Sequence, residues 1–268
     1  MKPGAPRGRI AADGALVTVS PFVTRLVSDR QMRFFVTAPS PCPYLPGQFE
    51  RKVFTHLPFS DGAVTNDELA QIGFRRSQTI AYRPACDGCD ACVATRLPVD
   101  RYAFSRGERR VLERNADLTR DVAAAEATPE QFDLLRRYLD GRHPGGGMSE
   151  MTWADYVPMV EDTAARTRMV EYRLPSVDGP GPGDLVAAAL VDRMNDGFSM
   201  VYLFFDPRHA RRSLGRMVIL DHVREARRVG LDYVYLGYWV SGSPKMDYKA
   251  DYRPLELLRG DRWVAHGS

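Results

Sequence analysis

Asp184-Leu-Val-Ala-Ala-Ala-Leu-Val-Asp192 and Phe198-Ser-Met-Val-Tyr-Leu-Phe-Phe205 are two β-rich runs, joined through Met194-Asn-Asp-Gly197. Asn, Asp and Gly tolerate the positive φ angles that a tight hairpin turn demands, so the pair reads as a β-hairpin. In the stretch Arg211 to Arg228 that follows, Gly215, Ile219, Val223 and Ala226 fall at helical spacing and arginines occupy the other faces. Leu231 to Val240 returns to strand composition. Hairpin, helix and strand in that order place the chain in the α/β (α+β) class.

Outward from this block, Pro175 to Gly183 is a Pro/Gly-rich loop, and helix starts upstream carry capping boxes. In these, a hydroxyl accepts from a free backbone amide and an acid or amide three residues later answers it. Thr65-Asn-Asp-Glu68, Ser105-Arg-Gly-Glu108 and Thr128-Pro-Glu-Gln131 all fit, the last with proline at the first helical position. Arg33 to Thr37 reads as a short strand ended by the Pro39 to Pro43 turn. Residues 1–25 lack periodicity and are expected to form a flexible arm. A composition shift near residue 125 divides the rest into an N-terminal domain, 26–125, and a C-terminal domain, 126–268. His143, beside Gly145-Gly146-Gly147, reads as a loop histidine that orders its turn.

The 268 residues are 44% hydrophobic and 26% charged, with a formal charge of +3, a balance that suits a globular chain with a substantial core. No stretch approaches the roughly 20 apolar residues of a membrane span, and Met1 to Ala15 lacks a secretory core. A cytoplasmic location without membrane contact is expected. The cations are nearly all arginine, with lysine only at Lys2, Lys52, Lys245 and Lys249.

All four cysteines fall in one constellation: Cys42 in Pro41-Cys42-Pro43-Tyr44-Leu45-Pro46, and Cys86-x2-Cys89-x2-Cys92. Thiols three residues apart on a tight turn can converge on one centre, and Gly88 supplies the turn's freedom. Cys42 would be the fourth ligand. Two readings stand: a structural zinc or iron–sulfur cluster on Cys42, Cys86, Cys89 and Cys92, or reduced thiols lining a pocket.

Arginines and aromatics surround the thiols: Phe74-Arg75-Arg76-Ser77, Tyr82-Arg83-Pro84, Arg96, then Ser105-Arg106, Arg109-Arg110 and Arg114-Asn115. Arg142-His143-Pro144, Val201 to Pro207, Ser213-Leu214-Gly215, Tyr235 to Trp239 and Lys245-Met-Asp-Tyr248-Lys249 complete the set. On these motifs, over about residues 33–260, the chain resembles the arginyl-tRNA–protein transferase family, and Cys-x2-Cys-x2-Cys resembles its leucyl-transferring branch. The resemblance implies an acetyltransferase-like (GNAT-like) mixed sheet behind a smaller Cys/Arg-rich domain. It also implies transfer of leucine from leucyl-tRNA to the α-amine of proteins beginning with Asp or Glu, which marks them for degradation.

The chemistry fits such residues. An aminoacyl ester is already activated, so the enzyme has to position groups and stabilise charge, with no cofactor needed for the reaction. An acidic acceptor calls for cationic forks, for which Arg75, Arg76, Arg83 and Arg96 are the candidates. Arg96→Ala is expected to impair transfer selectively. Unpaired tRNA bases and phosphates call for aromatics and cations, here Arg109, Arg110, Trp239, Tyr248 and Lys249, while Tyr238 or Lys245 could move the amine proton or hold the oxyanion. A solvated helix is the bland alternative for Arg75, Arg76, Arg109 and Arg110, whereas Arg96, flanked by Val93 and Leu97, is harder to read as mere surface. Arginyl transfer to the same acceptors, a coenzyme-A-dependent acetyltransferase and a metal-stapled RNA-binding module are the competing functions. The acetyltransferase is disfavoured because Arg211 to Arg216 retains one glycine of a pyrophosphate loop.

Overall fold

The computed structural model describes residues 8–12, 15–19, 32–142, 145, 147–176 and 181–267. His143 and its proline lie outside them. In chain order the strands and helices are β1 (Gly8–Ala12), β2 (Ala15–Val19), β3 (Phe35–Val36), β4 (Ser40–Pro41), β5 (Phe49–Glu50), β6 (Lys52–His56), α1 (Gly62–Gln71), β7 (Arg75–Ser77), β8 (Ile80–Pro84) and β9 (Cys92–Pro98). They continue with α2 (Arg106–Arg114), β10 (Thr119–Ala124), α3 (Pro129–Arg142), α4 (Trp153–Glu161), β11 (Thr167–Arg173), β12 (Leu185–Arg193), β13 (Gly197–Phe205), α5 (Leu214–Arg228), β14 (Tyr233–Val240), β15 (Glu256–Arg259) and β16 (Arg262–Ala265). No helix among the described residues is long and apolar enough to cross a membrane.

Residues 97–235 pack as one unit. Strands β10 to β13 pair antiparallel in sequence order, and β14 joins β13 in parallel through Gly197–Ser199 with Tyr233–Tyr235. The hairpin, helix and strand expected from the sequence are all present. Strand β12 is buried at every position except Arg193, because α3 and α5 both pack against it, which explains its unbroken apolar run. Leu134, Leu135 and Leu139 of α3 meet Tyr156, Met169, Leu190 and Phe204 in the core, each large side chain contributing about 1.5–3 kcal/mol. At Gly197 a Cβ would stand 2.5 Å from the Tyr233 carbonyl, so only glycine lets β14 approach.

The capping boxes at Ser105 and Thr128 form as expected. The Glu108 amide donates to Ser105 Oγ at 3.3 Å, and the Gln131 amide to Thr128 Oγ1 at 3.2 Å. Thr65-Glu68 does not start a helix: α1 begins three residues earlier after Asp61, whose carbonyl accepts the Thr65 amide. Asp61 occupies the N-cap position without a side-chain cap hydrogen bond, so Thr65 falls inside the first turn and its box does not form.

The other unit combines residues up to Arg96 with those from Leu236 onward. Its four-stranded sheet has the order β3-β6-β8-β7, and β15 pairs with β9 through Glu256↔Arg96 and Leu257↔Thr95. The packing boundary therefore departs from the division at residue 125. Pairing between distant segments leaves no trace in local composition. Within the expected arm, β1 and β2 pair antiparallel from Gly8↔Val19 to Ala12↔Ala15.

Candidate active site

Along β6, Val53 and Thr55 face inward and Lys52, Phe54 and His56 the opposite way, following the period of two. Register sets Phe54 opposite Tyr82 and Lys52 opposite Pro84 of β8. The β4–β5 loop closes on itself, the Cys42 amide donating to the Gln48 carbonyl at 2.9 Å. Past β8, Cys86 is tied to Arg51, whose amide donates to Sγ at 3.5 Å and whose carbonyl accepts the thiol at 3.7 Å. Between these segments lies a cavity of about 70 Å³, more than one water requires.

Its walls include all four cysteines, with Tyr44, Tyr82 and Tyr238, and the charged pair Glu50 and Lys52. Burial, reinforced by the other three thiols and Glu50, pushes the Cys92 thiol up to about 12, and burial likewise pushes Tyr44 up to about 12. Cys92 is thus a neutral thiol at cellular pH. Among the described residues no three metal-ligating side chains are arranged to hold an ion. As placed, the thiols line a pocket; a zinc or iron–sulfur centre on Cys42, Cys86, Cys89 and Cys92 would need the segments to close further and the thiols to lose their protons.

The expected acceptor arginines divide. Arg75 lies against β14 at Gly237, where φ is +80° and a Cβ would come within 3.1 Å of its guanidinium. Arg83 stacks over Phe74 at 5.4 Å and donates to the Ile72 carbonyl at 3.4 Å. Arg76 is buried and donates to the Gln78 carbonyl at 2.9 Å. Arg96 is committed elsewhere: it pairs with Glu256 at 2.8 Å and lies 4.3 Å from the Trp263 ring. Arg76 and Arg96 are therefore both buried, and the charge of Arg96 is answered inside the protein by Glu256, which departs from an acceptor role for it.

Tyr238 is buried, and its hydroxyl donates to the Gly73 carbonyl at 2.7 Å, with the Tyr82 carbonyl at 3.1 Å. Desolvation holds it far above the usual phenol range, so it keeps its proton and ties β14 to Gly73 and to β8. Lys245 is exposed in the turn after β14. Lys249, expected to contact tRNA, is only 6% exposed, and its ammonium donates to the Tyr238 carbonyl at 2.6 Å. Burial, aided by Arg75, pulls it down to about 7. A phosphate on the surface cannot reach it. The Trp239 ring lies 5.1 Å from that of His266 at a tilt of 50°, whereas Tyr248 is 47% exposed.

In the other unit, Arg109 and Arg110 project into solvent from α2, Arg109 also donating to the Phe104 carbonyl at 2.6 Å. The turn before α5 is occupied by internal partners: Arg212 makes a two-pronged contact with Asp117 at 2.8 Å, and Arg216 faces Glu108 at 3.5 Å. These ion pairs fill the place where a coenzyme pyrophosphate loop would need free amides and small residues.

Sequence profiles described as arginine-tRNA-protein transferase match the chain, the N-terminus model over residues 40–110 and the C-terminus model over residues 130–259. The chain belongs to this family of aminoacyl-tRNA–protein transferases. It is 65% identical over 246 residues to the aspartate/glutamate leucyltransferase of Phenylobacterium zucineum (strain HLK1), covering 92% of this chain and 95% of that one. The protein of the same name from Caulobacter vibrioides (strain NA1000 / CB15N) is 61% identical, covering 90% and 86%, and that of Hyphomonas neptunium 55%, covering 88% and 92%. The crystal structure of FemX aligns with a TM-score of 0.47 at 8% identity, covering 90% of this chain and 81% of that one.

Glu50, Lys52 and Tyr82 line the cavity although sequence reasoning does not single them out as site residues. The signal is present in part: opposite charges two apart at a strand start share a face.

Proposed function

We propose that the chain moves leucine from leucyl-tRNA to the α-amine of proteins beginning with Asp or Glu. The amine nitrogen bonds to the ester carbonyl carbon, the carbon–oxygen ester bond breaks, and the amine proton ends on the tRNA ribose hydroxyl. Support for the leucyl donor comes from relatives of that name along nearly the whole chain. Support for an acidic acceptor comes from charge. Arg83 lies close to Tyr238, and no salt bridge joins it to a carboxylate among the described residues. Uncompensated positive charge in a partly desolvated place favours an anion.

Arg109, Arg110 and Tyr248 remain suited to tRNA phosphates and bases by their exposure. Transfer of labelled leucine and labelled arginine from their tRNAs to peptides beginning Asp, Glu or Arg tests the reading. Leucine should reach Asp and Glu peptides. Label confined to the Arg peptide, or transfer of arginine alone, would overturn it.

A further inference from the structure

At the cavity, Lys52 Nζ donates to Glu50 Oε1 at 2.7 Å, and the two side chains are 37% and 18% exposed. Both line the space that the thiols and Tyr82 enclose. The Lys52 ammonium also stands 5.8 Å from the Tyr82 ring centroid, so it has an aromatic wall on one side and the carboxylate on another. Glu50 sits on β5 opposite Ser40, and Lys52 is anchored on β6 by its amide, which donates to Thr37 Oγ1 at 3.0 Å. The positions of both charges are thus fixed by strand backbone.

A protein beginning with Asp or Glu offers two opposite charges a few bonds apart, the α-ammonium and the side-chain carboxylate. Laid against a protein ion pair in reversed order, these charges form a square in which each positive corner touches two negative ones. We infer that Glu50 and Lys52 read the acceptor's first residue, Glu50 holding the α-amino group and Lys52 the side-chain carboxylate. This rests on the acceptor assignment above and names the residues that make it selective. Arg83 then serves as a general positive background, and the discriminating contact is the half-buried pair. A neutral first residue leaves one corner empty, and a basic one sets like charges together at Lys52.

The full-length protein is titrated with fluorescent peptides that begin Asp, Asn or N-acetyl-Asp, and binding is followed by anisotropy without tRNA. The wild type should prefer Asp over Asn by about tenfold or more. Lys52→Met should bring that ratio to within about twofold, and Lys52→Arg should retain most of it. Glu50→Gln should weaken free Asp and Asn peptides alike, by about tenfold, and leave the N-acetyl peptide unaffected. An unchanged Asp/Asn ratio in Lys52→Met overturns the role of Lys52. Equal weakening of free and acetylated peptides in Glu50→Gln overturns that of Glu50. If Lys52→Met does not fold, loss of the Asp/Asn preference in Lys52→Arg would count against a simple charge contact, and the Glu50→Gln series still decides. Asp-selective binding without leucine transfer would refute the donor assignment and leave this inference standing.

Discussion

Removing the guanidinium of Arg96 should cost the protein far more than one hydrogen bond. Arg96 and Glu256 are 9% and 10% exposed at their side chains and sit directly opposite each other on β9 and β15, with Nε 2.8 Å from Oε2. Arg96→Met leaves the Glu256 carboxylate buried without its cation, which costs about 3–5 kcal/mol, and forfeits the Trp263 stacking at 4.3 Å, worth about 1 kcal/mol. For a domain of 150–250 residues each kcal/mol moves Tm by about 2–4 °C, so a fall of about 8–24 °C is expected. Glu256→Gln alone should lower Tm by less, and Arg96→Met/Glu256→Leu should recover at least half of the loss, because a well-packed apolar pair replaces an ion pair at little cost. Thermal and urea melts of the four proteins measure this. If Arg96→Met melts within about 2 °C of wild type and loses transfer to Asp peptides while still binding tRNA, the structural assignment is wrong and Arg96 reads the acceptor.

His222 is buried, its Nδ1 2.8 Å from the Val218 carbonyl, and desolvation lowers its pKa. The unfolded chain then binds the extra proton first, so stability is full above about pH 6.5 and declines below it, by at most about 1.4 kcal/mol per pH unit; urea melts of His222→Leu should show a flatter profile between pH 5 and 7. Lys249 acts in the same sense at higher pH: with its folded pKa near 7, below the unfolded value of 10.5, stability rises with pH between the two, and Lys249→Met should melt higher than wild type at pH 7. Tyr238→Phe should cost about 1–2 kcal/mol, from the lost Gly73 and Tyr82 contacts, and leave kcat within a few-fold; a drop of about a hundredfold or more would restore the hydroxyl to the chemistry.

What the sequence discloses is local. The Ser105 and Thr128 caps, the hairpin at Met194 to Gly197 and the apolar face of α5 all depend on residues within one or two turns, and they form. Arg96, flanked by Val93 and Leu97, reads as partly inward, but its partner Glu256 is 160 residues away and invisible locally. Lys249 reads as a surface cation, and it is turned inward by the Tyr238 carbonyl, 11 residues before it across a turn. The cysteines are legible as a group, because four thiols confined to two short motifs are too concentrated to be scattered core residues. The distances among their segments, which decide between a pocket wall and a metal centre, depend on loop geometry that spacing does not encode.

The split packing of the cysteine-bearing unit has a consequence during synthesis. Arg96 and its partner Glu256 are 160 residues apart, and residues 97–235 are made between them. At roughly 5–20 residues per second the ribosome needs about ten seconds or more to cover that interval. Residues 97–235 make a compact unit and are complete first, while β9 waits for the edge that β15 covers. Nonsense mutations and proteolytic clipping after residue 240 should therefore strike the pocket formed near the other end of the chain, and an intact central unit would survive them.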